Sequence, residues 1–142
     1  MSETVSLDFE LRSRIERVWH ALTDSATLSQ WTLFESRDFR PIVGHKCQFV
    51  SPASPGWDGL IECEVLEVDA PHRLSYTWVG GPENLVVHTI LTWTLTETEP
   101  GLTRLHLEQS GFDPSAQQAI GGARYGWNLM LEQLRTRLVS DQ

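Results

Sequence analysis

Apolar residues near the end of the chain recur at spacings of three and four residues, the period of one face of an α-helix. The stripe consists of Ile120, Ala123, Trp127, Met130, Leu131, Leu134 and Leu138. Asp113 and Pro114 precede it and match an N-cap followed by proline at the first helical position. The pattern predicts an amphipathic helix of about 25 residues, long enough at ~1.5 Å per residue to cross a whole sheet. Such a helix needs an apolar partner surface, and this need constrains the rest of the fold.

The remainder of the chain supplies that surface as strands, because apolar and polar residues alternate with a period of two. The predicted strands centre on residues 5–11, 46–50, 60–69, 74–78, 89–95 and 105–107. Their outward positions carry Glu62, Glu64, Ser75, Thr77, Thr92, Thr94, Arg104 and Glu108, so that one face of the sheet meets water. The C-terminal helix is the only predicted element long enough to cover the apolar face.

Two local signals shape the predicted sheet. The alternation slips near Val65, which indicates a β-bulge at that point. Residues 99–101, Glu-Pro-Gly, suit a three-residue hairpin loop with glycine in the left-handed conformation. The resulting register pairs Leu95 with Leu105 and Trp93 with Leu107.

Two shorter helices are predicted after the first strand. Ser13 and Glu16 have the spacing of a capping box, and the helix that follows runs to about Thr23. Asp24 or Ser25 can then cap a second, shorter helix.

These elements predict an α+β fold in the order β-α-α-β-β-β-β-β-α, in which a curved six-stranded antiparallel sheet wraps around the long C-terminal helix. The length of 142 residues fits a single domain, 1–142, with one core. A bulged and twisted sheet does not lie flat against a straight helix. The space between them is therefore filled by side chains or left open to a ligand.

Two groups of residues bear on such a cavity. Gly121, Gly122 and Gly126 lie in the first half of the long helix. They indicate either close packing or a bend that serves the fold, or mobility at the mouth of a cavity. Trp31, Phe34 and Trp57 lie in or beside predicted loops, where they either plug the ends of the core or gate the cavity.

Charge and composition exclude several classes of partner. The net charge is −8, and the 11 Lys and Arg residues are spread along the chain, which argues against nucleic acid and anionic membranes as partners. The sequence has no signal-like apolar run and no stretch of about 18 apolar residues, so no membrane insertion is expected. Cys47 and Cys63 face each other in a predicted hairpin. We expect reduced thiols in a cytoplasmic protein, with a redox pair as the alternative.

The sequence contains no recognisable catalytic motif, and no cofactor is predicted. His88 and His106 share the last hairpin, but the inferred register keeps them apart, so no metal site is predicted. Tyr76, Gln109 and Arg124 are the candidates to supply polar groups inside the cavity. The alternative for these residues is simple hydrogen bonding within the core.

Five segments carry a family resemblance along nearly the whole chain. They are VWHALTDSATLSQW (18–31), GHKCQF (44–49), GWDGLIECEVLEVDAPHRLSYTW (56–78), GLTRLHLEQSGF (101–112) and GWNLML (126–131). In this order they resemble bacterial proteins related to the C-terminal domain of the Hsp90 ATPase activator, the AHSA1-like family of the START-like (SRPBCC) helix-grip superfamily. The resemblance implies a helix-grip cavity between the sheet and the C-terminal helix. The face pattern projects onto it the candidate ligand-binding residues Phe49, Ile61, Cys63, Tyr76, Trp78, Leu91, Trp93, Leu107, Trp127 and Leu131.

The function implied by this resemblance is that of a small soluble protein that holds a hydrophobic small molecule or lipid-like ligand. A cyclase- or hydrolase-like enzyme is an alternative, and it requires polar or titratable side chains that converge inside the cavity. For a cyclase, Tyr76, Gln109 and Arg124 are the candidates to orient a reactive polyketide. A module that contacts an Hsp90-type chaperone is a second alternative, which a packed interior and an exposed apolar patch would favour. The sequence is also compatible with a homodimer.

Overall fold

The computed structural model describes residues 2–53, 56–82 and 85–140, with only the backbone described at residue 140. Its elements are β1 (Glu3–Leu11), α1 (Ile15–Thr23), α2 (Ser25–Trp31), β2 (Glu35–Arg37), β3 (Lys46–Val50), β4 (Leu60–Asp69), β5 (Arg73–Gly80), β6 (Val87–Glu99), β7 (Leu102–Phe112) and α3 (Gln117–Ser140). Within these ranges the fold is α+β, as predicted, and the strands form one antiparallel sheet beside the long helix α3.

The sheet has seven described strands in the spatial order β1-β7-β6-β5-β4-β3-β2, so the prediction of six strands is wrong by one. The additional strand is β2, in which Ser36 pairs with Phe49 of β3 at the edge of the sheet. Its three residues, Glu-Ser-Arg, include no apolar side chain. The sequence therefore offers no alternation that would reveal this strand.

The β6–β7 hairpin has the predicted register but a shorter loop. Leu95 pairs with Leu105 and Trp93 with Leu107, which confirms the prediction. Glu99 pairs with Leu102, because a register shift between Glu97 and Glu99 absorbs the extra residue. The turn is therefore Pro100–Gly101 alone, and Gly101 has a φ of 81°, which glycine adopts without steric cost.

The β3–β5 region confirms two further predictions. Cys47 lies opposite Cys63, as predicted, and in the same register Phe49 lies opposite Ile61. The register of β4 against β5 shifts between Val65 and Glu67, where the β-bulge is predicted. A bulge increases the local twist of a strand, so this one favours curvature of the sheet.

The N-terminus of α1 is capped differently from the prediction. The N-cap residue is Arg14, which contributes no side-chain hydrogen bond. The Ser13 hydroxyl, expected to belong to a capping box with Glu16, is buried without a hydrogen-bond partner among the described residues. A side chain from β6 replaces the box, since Glu97 Oε1 accepts a hydrogen bond from the Ile15 backbone nitrogen at 3.1 Å.

The other two helices give one confirmation and one correction. Asp24 Oδ2 accepts from the Thr27 backbone nitrogen at 3.0 Å, so Asp24 caps α2 as predicted. Helix α3 begins at Gln117 and not at Pro114. The Asp113 carboxylate accepts from the backbone nitrogen and the hydroxyl of Ser115, at 2.9 and 2.7 Å, and so closes a local turn. The predicted N-cap at Asp113 is wrong because this turn uses the carboxylate before the helix starts.

The core lies between the inner face of the sheet and α3. The C-terminal half of α3 contributes Leu131, Leu134 and Leu138, all of which are buried. On the sheet, Trp93 packs edge-to-face against Trp31 and Trp127, with ring centroids 6.3 and 5.5 Å apart. Large side chains thus fill the space under this half of the helix. The N-terminal half of α3 instead borders a cleft.

Candidate functional site

A cleft of about 490 Å³ lies between the N-terminal half of α3 and the sheet. The described residues that line it are Leu33, Phe34, Trp57, Ile61, Trp78, Gly80, Gly81, Pro82, Leu85, Val87, Gln109, Phe112, Gln118, Ala119, Gly122, Ala123, Gly126, Trp127 and Met130. Most are apolar, two are glutamines, and none is charged. Its volume falls within the ~300–1,000 Å³ of typical small-molecule sites.

Small residues on α3 open the cleft. The helix face that borders it carries Gly122, Ala123 and Gly126, which lie between the large stripe residues Ile120 and Trp127. A Cβ atom added to Gly122 would meet no atom within 4 Å, and one added to Gly126 would only touch the end of Met130 at 4.0 Å. Of the alternatives for these glycines, close packing therefore does not apply at Gly122 and Gly126. They leave space between α3 and the sheet.

Aromatic rings form one wall of the cleft. Phe34 packs edge-to-face on Trp78 with ring centroids 5.2 Å apart, and Trp78 packs on Trp127 at 5.4 Å. The Trp57 indole nitrogen donates to the Leu60 carbonyl oxygen at 3.2 Å, which ties the 56–59 turn to the start of β4. The rings hold one another in place, and such rings offer a large apolar surface to a ligand at low entropic cost.

Gln109 is the one buried polar side chain among the described lining residues, with 1% of its surface exposed. Its Oε1 accepts from Trp127 Nε1 at 2.9 Å, and its Nε2 donates to Thr89 Oγ1 at 2.9 Å. The Thr89 hydroxyl in turn donates to the Trp78 carbonyl oxygen at 2.8 Å. This chain of hydrogen bonds links α3 to strands β5, β6 and β7 across the inner end of the cleft.

The structure brings together three of the ten candidate ligand-binding residues in this cleft, namely Ile61, Trp78 and Trp127. The other seven, Phe49, Cys63, Tyr76, Leu91, Trp93, Leu107 and Leu131, are buried in the main core and do not line the cleft. They share the inner face of the sheet or helix with the cleft residues. They lie where large neighbouring side chains fill the space between sheet and helix.

The polar candidates are also separated. Only Gln109 borders the cleft. Tyr76 is 1% exposed, and its hydroxyl accepts from Trp93 Nε1 at 3.1 Å in the core. Burial is the main cause that raises the pKa of Tyr76 above its ordinary value, so this phenol stays protonated. Arg124 is an exposed residue of α3 outside the lining.

Several lining residues are absent from the ten candidate ligand-binding residues because loops supply them. Phe34 and Trp57 border the cleft from segments outside the main strands, whereas Trp31 ends α2 in the core, where its indole nitrogen donates to the Ala21 carbonyl oxygen at 2.8 Å. The Gly80–Pro82 segment lines it as well. One sequence signal was available. Between Ile120 and Trp127 the only stripe residue of α3 is the small Ala123, with Gly122 and Gly126 beside it, and small residues leave space.

A hollow of about 600 Å³ on the outer face of the sheet is a weaker candidate. Its lining includes the charged residues Arg37, Asp38, Lys46, Glu62 and Glu64. Charges of both signs on a solvated face suit water better than an apolar ligand. Within the described ranges, no three His, Cys, Asp or Glu side chains are grouped so that they could hold a metal ion. None of the described helices is long and apolar enough to span a membrane.

The comparisons with known proteins agree with this architecture. Protein MLL2253 from Mesorhizobium loti is 35% identical, with a TM-score of 0.86 over 99% of this chain and 98% of that one. A protein from Arthrobacter aurescens is 19% identical, with a TM-score of 0.82 over 96% and 86% of the two chains. The Aha1 dimer from Colwellia psychrerythraea is 15% identical, with a TM-score of 0.79 over 96% of each chain. No curated protein matches the sequence.

Sequence and fold lead to the same family. The model of the family described as "Activator of Hsp90 ATPase homolog 1-like protein" matches residues 12–138, which is most of the chain. The structure supplies the antiparallel sheet and long C-terminal helix that the resemblance implies. The chain belongs to the Activator of Hsp90 ATPase homolog 1-like protein family.

Proposed function

We propose that this protein binds an apolar small molecule in the cleft between α3 and the sheet. The observation that carries the proposal is a cleft of about 490 Å³ whose described lining is apolar except for two glutamines. Binding would remove apolar surface from water, which contributes about 25 cal/mol per Å² of buried area. The packed rings of Phe34, Trp78 and Trp127 support this role, because a preformed wall loses little entropy when a ligand binds.

The enzyme alternative has less support. A hydrolase or cyclase needs a nucleophile, acid or base with access to its substrate. None of the described residues lining the cleft is titratable, and the candidate Tyr76 is hydrogen-bonded in the core. Binding without covalent chemistry is therefore the function that the site supports best.

Chaperone contact and self-association rest on family relationship. The family description names an activator of the Hsp90 ATPase, and the similar structure from Colwellia psychrerythraea is a dimer. A contact with an Hsp90-type chaperone and a homodimer are both compatible with a ligand cleft, because neither needs the interior space. We propose a cytoplasmic location, which the two buried free thiols Cys47 and Cys63 support.

A fluorescence titration with N-phenyl-1-naphthylamine, a neutral dye that brightens in apolar surroundings, tests the proposal. The matched variants are Gly122→Leu and Gly121→Leu. Both glycines lie in α3 with no atom within 4 Å of an added Cβ, but only Gly122 lines the cleft. We expect Gly122→Leu to weaken dye binding by at least about tenfold, equivalent to ~1.4 kcal/mol, while Gly121→Leu changes it little.

Equal dye binding by the two variants and the unaltered protein would place the dye elsewhere. No dye binding by the unaltered protein would count against an apolar cleft that is open in solution. Native mass spectrometry of protein purified from its own host offers an independent check, since a natural ligand would add a defined mass that Gly122→Leu removes and Gly121→Leu retains.

A further inference from the structure

The side-chain amide of Gln109 has only one orientation that satisfies its partners. An indole N–H only donates, so the atom that faces Trp127 Nε1 at 2.9 Å must be the amide oxygen. The Thr89 hydroxyl gives its hydrogen to the Trp78 carbonyl oxygen, so it accepts from Gln109 and must face the amide nitrogen. Two independent partners therefore require the same orientation.

This arrangement uses only part of the hydrogen-bonding capacity of the amide. The nitrogen Nε2 carries two hydrogens, and Thr89 accepts one of them. The second has no acceptor among the described residues, although Gln109 is 1% exposed and belongs to the lining of the cleft. A buried donor without an acceptor costs free energy, and an acceptor on a ligand would remove that cost.

The absence of charged side chains among the described lining residues further limits the chemical class of the ligand. No described residue that lines the cleft is charged, so an ionised group on the ligand would find no counter-ion there. An ionised carboxylate moved into such surroundings loses its hydration without compensation. An uncharged oxygen, as in a ketone or an ether, needs only one donor.

We propose that Gln109 is a specificity-determining residue, which selects neutral apolar ligands that carry a carbonyl or ether oxygen. This inference rests on the proposed function of the cleft and adds the chemical class of the ligand. Trp127 and Thr89 act as positioning residues, because they fix the amide so that its free N–H is available to the ligand and its oxygen is not.

Three naphthalene probes of the same outline test this selection. 2-Acetylnaphthalene has a carbonyl oxygen, 2-isopropenylnaphthalene replaces that oxygen with a methylene group, and 2-naphthoate is charged. Their dissociation constants are measured by quenching of tryptophan fluorescence. The quantity of interest is the affinity ratio of ketone to alkene, compared between proteins so that differences in probe hydration cancel. Gln109→Met removes the donor, and Gln133→Met is the control at an exposed glutamine of α3 that does not line the cleft.

We expect the ketone-to-alkene ratio to fall by about tenfold in Gln109→Met and to stay unchanged in Gln133→Met, with 2-naphthoate the weakest ligand of the unaltered protein. An equal ratio in all three proteins would overturn the inference while leaving apolar binding intact. Tightest binding of 2-naphthoate would also overturn it. If neither neutral probe binds, the proposed function of the cleft fails and the inference fails with it.

A spectroscopic measurement keeps the test independent of how well Gln109→Met folds. A hydrogen bond to a ketone lowers its C=O stretching frequency, so infrared difference spectra of bound 2-acetylnaphthalene should show a lower frequency than the ketone has in hexane. A stretch at the hexane frequency in the unaltered protein would contradict the proposal.

Discussion

Glu97 Oε1, near the end of β6, accepts a hydrogen bond from the backbone nitrogen of Ile15, the first residue of α1, at 3.1 Å. A second bond joins the same regions, because Thr103 Oγ1 on β7 donates to the Ser13 carbonyl oxygen at 2.8 Å. The N-terminus of α1 is therefore anchored to the β6–β7 hairpin by side chains from distant parts of the sequence. The carboxylate also lies where the helix dipole favours a negative charge.

The first prediction concerns this cap. Glu97→Ala should lower the free energy of unfolding by about 1 kcal/mol, because it leaves the Ile15 N–H without its acceptor. Glu97→Gln should lower the free energy of unfolding by less, since the amide oxygen can still accept the hydrogen bond from the Ile15 nitrogen. Urea denaturation followed by circular dichroism measures both. Glu99→Ala, at an exposed position of the same hairpin, is the control and should change stability by less than ~0.5 kcal/mol. Equal effects of the two alanine variants would contradict the cap.

The capping of α1 marks a limit of what local sequence patterns predict. Ser13 and Glu16 have the spacing of a capping box, yet the side chain that caps the helix is Glu97. Spacing rules compare residues a few positions apart, and no such rule includes a partner on a distant strand. The hairpin register was predictable because both its turn and its alternating faces are local.

The second prediction concerns the glycines of α3. Gly121→Ala should raise the free energy of unfolding by about 0.5–1 kcal/mol, since alanine favours the helix and its Cβ meets no atom within 4 Å. Gly59→Ala should do the opposite, because Gly59 has a φ of 86° and an added Cβ would overlap the Ser51 carbonyl oxygen. Thermal and urea unfolding of both variants measure the difference. A loss of stability in Gly121→Ala would show a packing role for Gly121 that the structure lacks.

The third prediction concerns His106 on the outer face of β7. Its Nε2 contacts Glu108 Oε1 at 3.0 Å and its Nδ1 contacts Asp8 Oδ1 at 2.8 Å, while Thr94 lies opposite on β6. The bonds to Glu108 and then to Asp8 raise the pKa of His106 above its ordinary value of 6.5. The folded protein therefore holds this proton more tightly than the unfolded chain does.

The stabilisation from His106 should accordingly be complete below about pH 6 and should disappear as the pH rises through the folded pKa. The measurement is the difference in free energy of unfolding between the unaltered protein and His106→Gln, followed across pH. Glu108→Gln removes one hydrogen-bond partner of His106. In that background the difference in free energy of unfolding should be smaller, and it should be lost over a narrower range of pH. A difference that grows with rising pH would have the wrong sign and would contradict the assignment.

The sequence predicted a cavity between the sheet and α3, but it predicted only some of the residues that line the cleft. The alternation of strands and the stripe on α3 identify the side chains that face inward, and Ile61, Trp78 and Trp127 are among them. The same pattern also selects Leu91 and Trp93, which are buried in the main core. A face pattern gives the direction of a side chain. Whether the space in front of it is filled depends on the size of every neighbour, including loop residues that have no periodicity.

The last prediction concerns the two thiols. Cys47 and Cys63 are buried and lie directly opposite each other on β3 and β4. A hydrogen bond from the Cys63 thiol holds the pKa of Cys47 below its ordinary value, and that same bond, together with burial, raises the pKa of Cys63. In Cys63→Ala the donor is lost while burial remains, so the pKa of Cys47 should rise. Titration of the thiolate absorbance in the ultraviolet measures this change, with Cys47→Ala isolating the signal of Cys63. Without the hydrogen bond from Cys63, burial would raise the pKa of Cys47. An unchanged pKa of Cys47 in Cys63→Ala would therefore mean that the two sulfur atoms do not interact in the unaltered protein.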